Sequence, residues 1–135
     1  MIIDHIAIVV KSIDAVRETY ENFLGFRVVT DVVLDERQKV NVQFFENEIG
    51  ERLELIEPVD MSSPSMNALR KGGGVNHICY RCEDLDVIVE EAAKRKIKAV
   101  CPPVPGAGHE GRRVAFFVHP HLGLIEYVEH KTEIK

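Results

Sequence analysis

The stretch Asp4-His5-Ile6-Ala7-Ile8-Val9-Val10-Lys11-Ser12-Ile13-Asp14 decides the fold, because it returns as Asn76-His77-Ile78-Cys79-Tyr80-Arg81-Cys82-Glu83-Asp84-Leu85-Asp86 at an offset of 72 residues. Both copies read polar, His, Ile, mostly apolar residues, a polar pair, an aliphatic residue and Asp. A second pair of segments keeps the same offset of 72: Arg52-Leu53-Glu54-Leu55-Ile56-Glu57 and Leu124-Ile125-Glu126-Tyr127-Val128-Glu129. His5 therefore precedes Glu54 by 49 residues, and His77 precedes Glu126 by 49. Equal spacing predicts one supersecondary unit used twice. Two copies are too few for a solenoid.

Each half reads as a strand, a helix and further strands. His5 to Val10 is β-branched and bounded by Asp4 and Lys11-Ser12, the pattern of a strand. Ser12 caps a predicted helix whose apolar positions are Ile13, Val16, Tyr20, Phe23 and Leu24, and Gly25 stops it. Phe26 to Leu34 is expected to be a strand. Val40, Val42 and Phe44 alternate with Asn41, Gln43 and Phe45, and Arg52 to Glu57 closes the half. Ser62-Ser63-Pro64 is expected to open a short helix running to Arg70. Gly72-Gly73-Gly74 marks the joint. The second half predicts a strand at His77 to Cys82 and a helix capped by Asp84. An irregular strand at Ala99 to Val104, a loop at Pro105 to Gly111 and closing strands at Arg113 to Val118 and Gly123 to Glu129 complete it. One domain of two modules, about 1–71 and 75–130, is expected.

Composition sets bounds on function. The chain has 135 residues, 45% hydrophobic and 29% charged, as soluble globular proteins do. No apolar run reaches the ~18 residues of a membrane helix. The first residues lack a basic segment and a cleavage site, so no secretory signal is expected. With 17 basic and 22 acidic residues the formal charge is -5, which argues against nucleic-acid binding. Three cysteines are too few for a disulfide framework, and a reducing cytoplasm is expected.

On a strand, residues two apart share a face. His5, Glu54, His77 and Glu126 are each a polar group inside an apolar strand. Burying an unpaired carboxylate costs several kcal/mol or forces protonation. A divalent cation held by two imidazoles and two carboxylates accounts for all four. Such a donor set suits Zn, Ni, Co or Mn, and an ion with open positions acts as a Lewis acid on a carbonyl oxygen. The rival reading is two buried His–Glu ion pairs kept for structure. Cys79 to Cys82 is formally CxxC, but residues three apart on a strand face opposite sides, which makes it a poor metal or redox motif. The glycine-rich run from Gly106 to Gly111, followed by Arg112 and Arg113, offers a clasp for a phosphate or carboxylate and matches no nucleotide fingerprint.

These residues resemble the vicinal oxygen chelate superfamily from Asp4 to Glu129. That resemblance implies an α+β fold of two paired βαβββ modules whose curved mixed sheet cups a metal. It also implies metal ligands at His5, Glu54, His77 and Glu126, and a homodimer. Within the superfamily the chain is most similar to the methylmalonyl-CoA epimerases. The similar segments are DHIAIVV at Asp4–Val10, LELIEP at Leu53–Pro58 and SSPSMNALRKGGGVNHICY at Ser62–Tyr80. EDLD at Glu83–Asp86, PGAGHEGRRVAFFVHP at Pro105–Pro120 and GLIEYVE at Gly123–Glu129 follow. The chain departs from that pattern in carrying Asn76-His77 in place of two histidines, and in a shorter HPHLGLIEY segment. It also has Val42 near the place where one epimerase pattern has a second glutamate.

The resemblance implies a small-molecule thioester substrate and an enolate formed with help from the metal. Glu126 is the expected proton-shuttling base, Gln43 a hydrogen-bonding or relay group, and Arg112 and Arg113 the substrate-binding cations. The alternatives are a glyoxalase I-type lyase acting on a glutathione adduct, and a non-catalytic resistance protein of the same fold.

Overall fold

The computed structural model describes residues 1–131. They fall into two compact units, one of His5–Asn76 and the other of Met1–Asp4 with the chain from His77 onward. The predicted joint at Gly72 to Gly74 lies a few residues before this division. The first four residues join the second unit because the Arg81 N–H donates to the Ile2 carbonyl at 2.9 Å and the Arg81 guanidinium meets Asp4 at 3.0 Å. Gly73 has no substitute: at φ +70°, an added Cβ would lie 2.7 Å from the Val9 carbonyl oxygen.

The first half runs β1 (Ile3–Val9), α1 (Ile13–Asn22), β2 (Arg27–Val28), β3 (Val33–Asp35), β4 (Val40–Glu46), β5 (Arg52–Pro58) and α2 (Met66–Arg70). The second runs β6 (Gly74–Cys82), α3 (Leu85–Lys94), β7 (Lys98–Ala99), β8 (Val104–Pro105), β9 (Arg113–His119) and β10 (Gly123–Glu129). The expected α+β architecture is present, mostly sheet with few helices. In each half the outer strands pair antiparallel, and the first strand lies parallel to the last: β1 on β5, and β6 on β10. A parallel neighbour needs a crossover, which the helix of each half supplies.

Each sheet has a face covered by its helix. In the first unit Ile13, Phe45 and Leu55 form that core with Val16 and Tyr20; in the second, Leu85, Ala92, Ala115 and Phe117 do so. The other face of the second sheet carries Cys79, Val114, Phe116 and Val128. The equivalent face of the first carries the buried Ala7, Val42, Phe44 and Ile56.

The helix starts repeat in atomic detail. Ser12 Oγ accepts from the Ala15 N–H, and Asp84 Oδ1 accepts from the Asp86 N–H. Beyond these caps, Glu57 accepts the Ile13 N–H at 3.0 Å and Glu129 accepts the Leu85 N–H at 2.9 Å. A carboxylate from the last strand thus satisfies a donor in the first helical turn of its own unit.

Four expectations are corrected. Helix α1 stops at Asn22, and Phe23 and Leu24 are exposed rather than on its apolar face. The Phe23 and Leu24 N–H groups both donate to Thr19 O, and Gly25 at φ +78° turns the chain so that Phe26 reaches Tyr20 O. The single strand expected over Phe26 to Leu34 is two short ones, because the Thr30 hydroxyl takes the Phe44 N–H in place of a ladder partner. The helix expected from Ser62 begins only at Met66, because the preceding serines serve turns. The Ser62 N–H donates to Asp60, and the Ser63 hydroxyl to the Gln38 carbonyl. The irregular strand over Ala99 to Val104 likewise resolves into β7 and β8.

Candidate metal centre

In the first unit, Glu54 lies opposite Ala7 on β1 and opposite Phe44 on β4. His5, two residues before Ala7, shares that face. Its Nε2 lies 3.4 Å from Glu54 Oε1, and its ring meets the Phe44 ring edge-on at 5.2 Å and 86°. In the second unit, Glu126 lies opposite Cys79 on β6 and opposite Phe116 on β9. His77 Nε2 lies 3.0 Å from Glu126 Oε1, and its ring meets Phe116 edge-on at 5.2 Å and 84°. The same three residue types therefore occupy equivalent places in both units, at the offset of 72.

All four polar residues are buried, at 1% exposure for His5, 7% for Glu54, 5% for His77 and 3% for Glu126. Two carboxylates at this depth must be compensated, by their imidazoles, by a cation or by both. Each imidazole packs at right angles to a buried phenylalanine ring, a contact that restricts its rotation. Val42 is buried on the face of Phe44 and supplies an apolar wall there rather than a second carboxylate.

Two other expected site residues turn to the helix-covered face. Gln43 follows Val42 on β4 and so points the opposite way. Its Oε1 accepts from Arg17 Nε of α1 at 3.0 Å, and its Nε2 donates to the Thr30 carbonyl. Arg113 shares the side of Ala115 and Phe117. Its guanidinium lies 2.9 Å from Glu129 and 3.4 Å from Asp86, so its donors serve the start of α3. This hydrogen bond holds the Glu129 carboxyl well down, at about 2. Arg112 is exposed in the preceding turn, 3.4 Å from Glu110. The strand period of two separates Gln43 and Arg113 from the His–Glu face.

Sequence reasoning missed the ring partners Phe44 and Phe116 and the helix-binding pair Glu57 and Glu129. The signal was present, since both pairs keep the offset of 72. A cavity of about 310 Å³ borders Tyr80, Ile88, Phe117 and Tyr127. It lies on the helix-covered side, away from His77 and Glu126. None of the three cysteines is in a disulfide, and among the described residues no helix is long and apolar enough to cross a membrane.

Comparison with known proteins extends the resemblance. The family model of the Glyoxalase/Bleomycin resistance protein/Dioxygenase superfamily matches residues 4–116. The Bacillus subtilis (strain 168) protein YqjC is 36% identical over 115 residues, 84% of this chain and 80% of its own length. The mitochondrial methylmalonyl-CoA epimerase of Homo sapiens is 32% identical over 120 residues, covering 87% of this chain and 66% of the human protein. A solved variant of the Streptomyces coelicolor methylmalonyl-CoA epimerase, in complex with 2-nitronate-propionyl-CoA, superposes with a TM-score of 0.80 at 28% identity. That match covers 96% of this chain and 97% of the other. With matching strands, matching His–Glu couples and a family model spanning most of its length, the chain belongs to the glyoxalase/bleomycin resistance/dioxygenase superfamily.

Proposed function

We propose that this chain is a metal-dependent epimerase of a CoA thioester of the methylmalonyl type. His5, Glu54, His77 and Glu126 would hold one divalent cation. The donor set fits such an ion: two neutral imidazole nitrogens and two carboxylates whose charges cancel a dication. The observation that carries the reading is the repeated couple, a buried His Nε2 beside a Glu Oε1 in each unit. The likeness to epimerases supports the substrate class.

When bound, the metal supplies Lewis-acid stabilisation of the negative charge that develops on the thioester oxygen. The chain's own groups do the rest. Phe44 and Phe116 orient the imidazoles, and Val42 and Val114 keep the surroundings apolar, which strengthens electrostatic interactions there. The Glu126 carboxylate takes the proton from the α-carbon, and the C–H electron pair moves into the enolate. Return of a proton to the opposite face re-forms the C–H bond with inverted configuration. On β4 the position facing the couple is Val42, and the Glu46 carboxylate of the same face is held by Arg27 and Arg52, so solvent or another group delivers this proton.

The test is elemental analysis of untreated protein, followed by incubation of Co-, Ni-, Zn- and Mn-loaded samples with methylmalonyl-CoA in deuterated water. Stoichiometric metal and deuterium at the α-carbon are expected. Absence of wash-in at saturating metal, with exchange of a glutathione hemithioacetal instead, would move the chain to the lyase reaction.

A further inference from the structure

On the face of the first sheet that carries His5 and Glu54 lies a row of charges unrelated to the metal couples. Arg27 on β2, Glu46 on β4 and Arg52 on β5 are direct cross-strand partners. Arg27 Nη2 lies 3.1 Å from Glu46 Oε2, and Arg52 Nε lies 3.3 Å from Glu46 Oε1. Two guanidiniums share one carboxylate, so the row carries one surplus positive charge. Arg52 precedes Glu54 by two residues and shares its face. Its guanidinium carbon sits 4.7 Å over the Phe44 ring, the ring that His5 meets from its edge. Arg52 Nε is buried and makes no hydrogen bond of good geometry among the described residues, only the longer ion pair to Glu46.

The fold does not require this cation. The equivalent position in the second unit, at the offset of 72, is Leu124, packed against Cys79, Val114, Phe116 and Val128. The row is an addition to one unit only. A dication with two glutamates is electrically neutral, and the chain as a whole carries -5, so neither attracts an anion. A guanidinium stacked on an aromatic ring keeps its outward N–H fork free for an oxyanion, in a way a lysine ammonium does not.

We propose that Arg52, oriented by Glu46 and supported by Arg27, binds an oxyanion of the substrate on this face: the acyl carboxylate or a phosphate of CoA. The assignment rests on the thioester reading above. It makes Arg52 a specificity-determining residue, because a thioester lacking the anion forfeits the contact.

The experiment measures calorimetric binding of two probes to the metal-loaded chain and to its Arg52→Gln and Arg52→Lys variants. CoA carries the phosphates without an acyl carboxylate, and methylmalonyl-N-acetylcysteamine carries the carboxylate without phosphates. Arg52→Gln is expected to weaken one probe by about 10- to 100-fold, and Arg52→Lys to recover part of the loss. Weakening of CoA alone identifies a phosphate contact, and weakening of the acyl probe alone identifies the carboxylate. With methylmalonyl-CoA, KM should rise more than kcat falls. Metal content and thermal midpoint, unchanged in Arg52→Lys, exclude a folding defect. If the unsubstituted chain binds a probe and Arg52→Gln binds both equally well, the assignment is overturned while the epimerase reading stands. If the unsubstituted chain binds neither probe, the thioester reading fails and this assignment with it.

Discussion

A histidine locked between a phenylalanine edge and a carboxylate has little freedom to do anything but hold a proton or a cation at Nε2. Both His5 and His77 are in that position. Substituting Glu126→Gln keeps the shape and removes the charge. It should lower α-proton exchange by at least about 100-fold and reduce bound metal, measured by deuterium incorporation and elemental analysis on the same sample. A variant that kept full metal and full exchange would leave the couples as structural ion pairs. That these four residues form two equivalent buried couples was legible from spacing, because polar groups recur at the same places in apolar strands. The orientations of Gln43 and Arg113 were not. Whether a strand residue faces its helix or the other side depends on a parity that one chain position reverses, and both side chains carry polar atoms that either face could use. The structure spends those atoms on Arg17, Thr30, Glu129 and Asp86.

Among the elements, the helix starts show most clearly how the last strand is tied to the first crossover. Glu129 accepts the Leu85 N–H while Arg113 grips both of its oxygens. The carboxyl stands at about 2 against an ordinary value of 4.5, chiefly through the Arg113 hydrogen bond. A carboxyl depressed on folding stabilises the folded chain above its unfolded pKa and loses that contribution as pH falls toward the folded value. Glu129→Gln should therefore show its largest deficit in urea midpoint at pH 7, a smaller one at pH 4, and a much smaller one at pH 2.5, where the folded carboxyl is still partly ionised. A deficit constant across that range would assign the effect to shape rather than charge. Helix packing makes a separate prediction. Phe117 is buried beneath α3 with Leu85 and Ala92, so Phe117→Ala should cost about 3–5 kcal/mol by chemical denaturation. The strands and helices themselves were readable from apolar period and caps. The breaks were not, because Thr30 and Ser63 replace backbone partners with hydroxyls, and local propensity cannot say which long-range partner a hydroxyl will find.

For the whole molecule the question is whether two couples act as one site. Each unit brings one imidazole and one carboxylate, half of a four-donor set, and the proposed cation requires both halves. A ligand that binds only the folded state stabilises it by RT ln(1 + [L]/Kd), about 2.7 kcal/mol at a concentration 100 times Kd. Adding Zn, Ni, Co or Mn to the metal-free chain should raise its thermal midpoint, and a chelator should reverse the rise. Under a shared site, His5→Ala and His77→Ala should each abolish nearly all of the rise, and the double variant should lose no more than either single one. Independent couples would instead show two partial losses that add in the double variant, since distant, unlinked sites are additive. Thermal melts of the four proteins with and without metal separate these outcomes without any assay of turnover. Full retention of the rise in one single variant would place the cation on the other unit's couple alone and remove the four-donor centre.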